Sequence, residues 1–265
     1  MNYVGFPGLG LSFNINPVAF TLFGKDIYWY GIIIGCGLLI AAAFCSYLAS
    51  KDGLPNDTVT DIVLIGTPVG IICARLYFVI FDFASYKDNL LSVFAIWEGG
   101  LAIYGGIIGA VLSAYLYCRH KKLNVLKVFD ICVLGLLIGQ LIGRWGNFVN
   151  AEAYGCETTL PWRMQLMSDE AGKMVCVHPT FLYESLWNLA GLIMLMIYRK
   201  HKKFDGEIFL MYIIWYGLGR SWIEWLRVDS LPYSGGFKIS QIVAVASAAA
   251  AFVLIVINRK RRKQA

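Results

Sequence analysis

Charged residues are scarce in this chain and make up 15% of its 265 residues, against about 25% in an ordinary soluble domain. Apolar residues account for 58%. A soluble domain of this length could not hide so much apolar surface from water, and disordered, collagenous and disulfide-stapled chains are excluded as well. The scarcity of charge therefore predicts a polytopic membrane protein. It argues against a soluble cytosolic enzyme and against a nucleic-acid-binding protein, since the net charge of +6 is then loop charge beside a membrane.

Several motifs that carry chemistry in other proteins are also missing. No CxxC pair occurs among the seven cysteines, so a zinc or thioredoxin-like site has no support. The chain has no GxSxG, HExxH, P-loop or GxGxxG motif, and it lacks the parts of a serine hydrolase, a metalloprotease or a nucleotide-driven machine. Cys156 and Cys176 share one polar loop and could pair if that loop faces an oxidising compartment; the sequence leaves this open.

Seven apolar stretches are present, and each is long enough to cross about 30 Å of hydrocarbon. They lie at residues 27–48, 59–81, 95–118, 128–148, 180–198, 207–225 and 239–258. They predict an all-α polytopic membrane protein with about seven transmembrane helices and a single transmembrane domain over residues 1–265. No cleavable signal peptide is expected, because Lys25 is the single lysine of residues 1–26 and no charged segment precedes an apolar core.

Lysine and arginine are unevenly distributed over the predicted loops. The first, third and fifth loops and the C-terminal tail together hold 14 of these residues, whereas the other side holds six. Because cytoplasmic loops are enriched in lysine and arginine, the C-terminus is predicted to be cytoplasmic and the N-terminus outside. The longest loop, residues 149–179, is then extracytoplasmic.

A polar segment stands at the outer end of the fourth span. Residues 143–155 read GRWGNFVNAEAYG, and a charge deep in the bilayer costs at least about 2.5–3.5 kcal/mol on the insertion scale. Arg144 could snorkel to the headgroups. An arginine beside Gly146 and two asparagines is better explained as a planar fork for phosphate oxygens in a cavity. Glycines at 135, 139 and 143 form a small-residue stripe, which predicts close packing against another helix.

The sixth span carries a second polar group. Tyr216, Arg220 and Glu224 are spaced four residues apart, and with Arg227 they fit one arc of a helix. Arg220 and Glu224 can pair along the helix. One interpretation is an ion pair that joins two spans. The other is a second cationic arm aimed at the same anion, with Glu224 fixing its geometry.

Three further groups have both a structural and a functional interpretation. Four glycines surround Tyr104 in residues 99–106, which indicates close backbone approach or a broken helix; the Tyr104 hydroxyl either reaches a ligand or packs. His178 precedes Thr180, which can cap the fifth span, where Glu184 suits the helix dipole. Tyr30 belongs to an aromatic cluster that is typical of a membrane-interface belt.

Residues 143–155 match G-R-x-G-N-F-x-N-x-E-x-x-G, and the chain thereby resembles the phosphatidylglycerol–prolipoprotein diacylglyceryl transferases. This motif is long and specific. The resemblance also covers nearly the whole chain in the family's order, through residues 29–31, 99–106, 178–184 and 216–227. It implies about seven helices around a central lipid-binding cavity in the bacterial plasma (inner) membrane, with the active site towards the outer leaflet.

The resemblance also implies a reaction. The family transfers the diacylglyceryl group of phosphatidylglycerol to the lipobox cysteine thiol in the signal peptide of a prolipoprotein, forms a thioether and releases glycerol phosphate. No metal or organic cofactor is needed, and the enzyme's own cysteines take no part. Carried over position by position, the expected catalytic residues are Arg144, Arg220, Glu224, Tyr104 and Glu152. The expected substrate-binding residues are Arg144, Asn147, Tyr30, Gly155, Tyr216, Arg227 and His178.

One position departs from the family pattern. The glycine-rich element often reads Gly-Gly-x-x-x-His-Gly-Gly, with the histidine proposed as a base, and Tyr104 stands at that position here. A tyrosine with a pKa near 10 is a poor base at neutral pH, so we expect Tyr104 to hydrogen-bond the substrate. The general base stays open among Glu152, Glu224, the departing phosphate and water.

Two rival functions are less consistent with the sequence. An anion or lipid transporter with arginine-lined cavities would usually contain inverted repeats, and none is apparent. An intramembrane protease would need a Ser–His or Asp–Asp constellation, which cannot be assembled from these spans.

The predicted topology can be tested by thiol labelling. Cysteines introduced at Arg163 or Lys173 should react with a membrane-impermeant maleimide added to intact cells, whereas cysteines at Lys121 or His201 should react only after lysis. The reverse pattern would contradict the N-out, C-in orientation.

Overall fold

Seven α-helices form most of the described chain. The computed structural model describes residues 1–87, 89–168, 172–227 and 239–264. The helices are α1 (Trp29–Lys51), α2 (Thr58–Phe81), α3 (Ile103–His120), α4 (Val125–Asn150), α5 (Thr180–Tyr198), α6 (Glu207–Leu226) and α7 (Ile239–Gln264). Each overlaps one predicted apolar stretch, because a long apolar run favours a membrane-spanning or buried helix.

Five segments of the described chain are long and apolar enough to cross a membrane. They are Trp29–Lys51, Thr58–Phe81, Val125–Asn150, Thr180–His201 and Ser240–Arg262. Helix α3 has only 18 residues and ends in Arg119 and His120. Helix α6 carries charged side chains, which lower its apolar character. The chain is therefore a mostly helical, multi-pass membrane protein.

The expectation of an all-α fold is wrong in one respect, because six strands are present. They are β1 (Asn2–Phe6), β2 (Leu11–Ile15), β3 (Val18–Leu22), β4 (Lys25–Tyr28), β5 (Met164–Ser168) and β6 (Lys173–Val177). An antiparallel sheet has the order β2-β1-β5-β6, and β3 and β4 form a separate hairpin. The strands are four or five residues long, so their alternation was hidden in an apolar background.

The four-stranded sheet has a small core of its own. Val4, Leu166 and Val177 are almost completely buried, and they pack with Phe6 and Phe181. Strand β1 comes from the N-terminus, whereas β5 and β6 come from the loop between α4 and α5. Asn2 Nδ2 also donates to Val149 O at 3.1 Å. The N-terminus is thus fastened to the end of α4.

The chain divides into two compact units, which are described separately. The first contains residues 1–41 and the chain from residue 130 onwards, and the second contains residues 42–129. The sheet, the signature segment and helices α5 to α7 belong to the first unit. Helices α2 and α3 belong to the second.

In the second unit, the third apolar stretch begins as a helix later than predicted. Residues 90–98 form two short 3₁₀ turns, and α3 starts at Ile103. Gly99 and Gly100 have φ of +91° and +71°, which residues other than glycine rarely adopt. The broken helix expected from the glycines is therefore present, and so is the close approach: a Cβ on Gly105 would lie 2.3 Å from Cys73 O in α2.

Buried Arg75 orders the segment before α3. Its guanidinium donates to Ser92 O and Gly99 O at 2.7 Å each and to Val93 O at 2.8 Å. Backbone carbonyls that could not be satisfied by lipid thus gain strong donors. Arg75 accounts for the conformation of the first glycine pair.

In the first unit, two carboxylates at the start of α6 anchor neighbouring helices. Asp130 accepts from Gly206 N and Phe209 N at 2.9 Å each, as an N-terminal cap supplied from α4. Buried Glu207 pairs with Arg259 of α7 at 2.6 Å. Burial lowers the pKa of Lys202, but its contacts with Asp205 and Asp130 outweigh this effect and raise the pKa above its usual value. Lys202 therefore remains charged and supports Asp130.

Candidate active site

The signature segment folds back on itself where α4 ends. Ala151 and Ala153 adopt left-handed φ of +53° and +57°, a conformation that alanine enters only when its surroundings impose it. Glu152 stands between them, and its backbone N–H donates to Asn147 O at 3.0 Å. The side-chain amides of Asn147 and Asn150 donate to Glu152 Oε1 at 3.0 and 3.3 Å. The two asparagines therefore fix the Glu152 carboxylate beside the last turn of the helix.

Arg144 lies one turn earlier and joins the same network. Its Nη1 donates to Asn147 Oδ1 at 3.4 Å, so the Asn147 amide connects Arg144 to Glu152. Arg144 Nη2 is ion-paired with Glu184 Oε2 on α5. About a quarter of the Arg144 side chain is exposed (23%). The guanidinium is thus held in place while part of it stays accessible to a ligand.

Glu184 is a site residue that the sequence interpretation missed. Its other oxygen, Oε1, lies 3.5 Å from Arg227 Nη1, so one buried carboxylate serves two guanidinium groups. The sequence assigned Glu184 to the helix dipole because it is close to the start of α5. The signal that could have found it is the cost of an acidic side chain in an apolar span.

Arg227 occupies a different position from the one predicted. Helix α6 ends at Leu226, and Arg227 has an extended backbone with φ −78° and ψ 139°. It therefore does not continue the arc of Tyr216, Arg220 and Glu224, and that part of the prediction is wrong. Instead, Arg227 pairs with Gly155 in an antiparallel bridge, and this pairing directs it to Glu184.

Gly155 is the point at which three segments meet. Its N–H donates to His178 O at 3.0 Å. A Cβ on Gly155 would lie 2.8 Å from His178 Cβ and 3.1 Å from Leu226 O, which leaves no room for a side chain. The Thr180 hydroxyl donates to Ala153 O and does not cap α5. The residues around the signature segment therefore lock it to the start of α5 and the end of α6.

His178 lies at the edge of this group. Its Nδ1 is 3.2 Å from Tyr183 Oη, and Trp162 Nε1 donates to the same hydroxyl at 2.8 Å. Burial lowers the pKa of His178, which favours the neutral imidazole. A neutral ring next to a tyrosine hydroxyl can donate or accept one hydrogen bond to a substrate.

Helix α6 carries a second buried ion pair. Arg220 Nη2 lies 2.7 Å from Glu224 Oε2, which confirms the predicted pairing along the helix. Ser240 Oγ donates to Glu224 Oε1 at 2.9 Å, so α7 also holds this carboxylate. About a fifth of the Arg220 side chain is exposed (21%). Tyr216, one turn earlier, is partly exposed and stacks on Tyr212.

Helices α1 and α4 pack closely at Gly143 of the predicted small-residue stripe and at Gly146, whereas a Cβ on Gly139 would meet nothing within 4 Å. A Cβ on Gly146 would lie 2.6 Å from Tyr30 Cδ2, and one on Gly143 would lie 3.1 Å from Ile34 Cδ1. Gly146 thus provides the space that the Tyr30 ring fills. More than a third of Tyr30 stays exposed (38%).

Tyr104 belongs to the other unit. It lies in the first turn of α3 and is exposed. Its proposed contact with substrate stays a prediction. Cys156 and Cys176 are free thiols, although the segment after Cys156 is hydrogen-bonded to β6 through Thr158 N and Cys176 O at 2.9 Å. No group of three His, Cys, Asp or Glu side chains within the described ranges could hold a metal ion.

Comparison with known proteins shows the family of this chain. The sequence profile of the prolipoprotein diacylglyceryl transferase family matches residues 17–257. The chain is 42% identical to the phosphatidylglycerol–prolipoprotein diacylglyceryl transferase of Clostridioides difficile over 94% of this chain and 98% of that protein. It is 43% identical to that of Lysinibacillus sphaericus, over 96% of each chain, and 44% identical to that of Finegoldia magna, over 93% and 97%. The chain belongs to the prolipoprotein diacylglyceryl transferase family.

Proposed function

We propose that this protein transfers the diacylglyceryl group of phosphatidylglycerol to the lipobox cysteine thiol of prolipoproteins, the first step of lipoprotein lipidation. The observation that carries the proposal is the intact motif of residues 143–155, folded so that Arg144, Asn147 and Glu152 form one hydrogen-bonded chain. Relatives that are 41–44% identical are named for this reaction.

The reaction divides into bond changes that the site can support. The cysteine sulfur attacks the diacylglyceryl carbon of phosphatidylglycerol, a carbon–sulfur bond forms, and the carbon–oxygen bond to phosphate breaks. The bonding electrons leave with glycerol phosphate, and the thiol proton passes to a base. A thiol has a pKa near 8.5, so part of the barrier is its deprotonation. The remainder is the negative charge that develops on the leaving phosphate.

Two arginines can stabilise the negative charge that develops on the leaving phosphate. Arg144 presents a planar fork that matches phosphate oxygens, and Arg220 supplies a further guanidinium. Both are largely shielded from water, where such charges stabilise a developing anion most strongly. Glu152 and Glu224 are the nearby carboxylates considered as bases, together with the departing phosphate and water. Each is hydrogen-bonded or ion-paired in the structure.

The remaining predicted residues surround the substrates in this proposal. Asn147 is hydrogen-bonded to Arg144 on α4, and the Tyr30 ring of α1 packs against Gly146. Gly155, Arg227 and His178 form the backbone junction that holds the signature segment, and Tyr216 is exposed on α6. The substrates are phosphatidylglycerol, drawn from the bilayer, and the signal peptide of a prolipoprotein.

The membrane arrangement is part of the same proposal. All seven helices cross the bacterial plasma (inner) membrane, with the N-terminus outside and the C-terminus cytoplasmic. The chain acts as one transmembrane domain, and the site faces the outer leaflet. The distribution of cations supports this orientation. Residues 149–179, which carry two strands, contain few cations, whereas the end of α7 is strongly basic.

A direct assay tests the proposed reaction. Purified protein in phosphatidylglycerol nanodiscs should release glycerol phosphate and attach the lipid to a lipobox peptide. A peptide with the lipobox cysteine changed to serine is the matched control and should accept nothing. Movement of labelled lipid between leaflets without thioether formation would instead support the transporter alternative.

Arg144 is expected to be the least replaceable residue. Arg144→Ala should abolish transfer while the protein still inserts, and Arg144→Lys should restore little because the planar fork is lost. The measurement is initial rate in membranes matched for protein content. Substantial activity in Arg144→Ala would contradict the assignment of Arg144 to phosphate.

Tyr104 is expected to orient substrate. Tyr104→Phe then loses one hydrogen bond of about 0.5–1.5 kcal/mol, or about 3 kcal/mol if the partner is charged. At about 1.36 kcal/mol per tenfold in rate, this is a fall of a few-fold to about 150-fold. Tyr104→His should retain activity, since the family commonly has histidine there. The measurement is the initial rate of both variants between pH 6 and 9. If Tyr104→Phe is nearly inactive and the pH optimum of Tyr104→His lies at lower pH, Tyr104 is the base.

A further inference from the structure

Glu184 takes no direct part in the proposed reaction, yet it is the most constrained carboxylate beside Arg144. It is 8% exposed. Its two oxygens contact different guanidinium groups, those of Arg144 and Arg227. Ser185 Oγ, on the next residue, donates to Leu141 O of α4 at 3.0 Å and thus fixes the start of α5 on the helix that carries Arg144. An acid held there places one negative charge in the region assigned to a phosphate.

The consequence of this charge depends on the charge of the ligand. Phosphatidylglycerol carries a phosphodiester with one negative charge, whereas glycerol phosphate is a monoester that is mostly dianionic above pH 6. At equal distance, Glu184 repels the dianion with twice the Coulomb energy with which it repels the monoanion. It therefore weakens the binding of product more than the binding of lipid.

From this arrangement we infer that the charge of Glu184 weakens binding of the phosphate monoester product at Arg144 and Arg227 more than it weakens binding of the phosphodiester substrate. Glu184 thereby promotes product release. The inference rests on the proposed function. Glu184 acts through Arg144 and Arg227 and is a positioning residue, which contacts neither substrate nor reacting atoms in this scheme. It differs from a purely structural ion pair in one respect: its effect depends on the charge of the ligand.

The variant Glu184→Gln tests this, because it keeps the size and one acceptor oxygen and removes the charge. The measurements are the KM for phosphatidylglycerol and the inhibition constant for sn-glycerol 1-phosphate, in nanodiscs at constant ionic strength. Doubling the Coulomb energy squares the factor in affinity, so a threefold gain for lipid accompanies a gain of about tenfold for glycerol phosphate. The selectivity for product over lipid should rise by the same factor as the affinity for lipid, about threefold in this example, and kcat should fall as product leaves more slowly.

Glu207→Gln is the matched control. Glu207 is fully buried and ion-paired with Arg259, so its loss disturbs a comparable charge pair at the opposite end of α6. It should leave the ratio of the two affinities unchanged. An unchanged or lower ratio in Glu184→Gln, or an equal rise in both variants, would overturn the inference.

Two further results keep the test decisive. If Glu184→Gln is not recovered as folded protein, Arg227→Gln provides the reverse change: one positive charge fewer should weaken glycerol phosphate binding more than lipid binding, and equal weakening refutes the inference. Where a folded variant does not turn over, the stabilisation of its thermal unfolding by glycerol phosphate gives the same affinity. Absence of transfer by the wild-type protein would instead refute the proposed function, so the two failures are distinguishable.

Discussion

Two guanidinium groups can approach one another in an apolar helical protein because a single carboxylate, that of Glu184, contacts both. An unpaired charge in such surroundings costs several kcal/mol, and the pairing with Arg144 and Arg227 offsets that cost. Three elements of the first unit bring these side chains together. The end of α4 supplies one arginine, the residue after α6 supplies the other, and the N-terminal part of α5 supplies the acid.

Glycines of the signature motif supply space, and its polar residues supply charge. Gly146 admits the Tyr30 ring, and Gly155 admits the backbones of His178 and Leu226. Asn147 then links Arg144 to Glu152 across a chain reversal with left-handed alanines. A side chain at either glycine, or loss of the asparagine amide, would separate groups that act together. This explains why the motif extends over thirteen positions and does not consist of isolated catalytic residues.

The two glycine pairs around Tyr104 have different physical causes, although they are alike in sequence. Gly99 and Gly100 are needed for their positive φ, and the carbonyls they expose are held by Arg75. Gly105 is needed because α2 passes too close for a Cβ. Together they place Tyr104 in the first turn of a helix, with its ring exposed.

The sequence by itself determined the class of protein, the seven helical segments, the Arg220–Glu224 pair and the family, because apolar length, helical spacing and a long motif are local properties. The largest error at the start of a helix is in α3, which begins at Ile103 and not at residue 95. Only the tertiary structure decided the rest. The sheet depends on pairing between Val4 and Leu166, which no local pattern of five residues can specify. Glu184 and Arg227 were assigned to a helix dipole and a helix face. In the structure Glu184 pairs with both Arg144 and Arg227, because strand-like pairing at Gly155 redirects the chain after α6. Long-range backbone geometry, which sequence spacing does not contain, thus selected which charges meet.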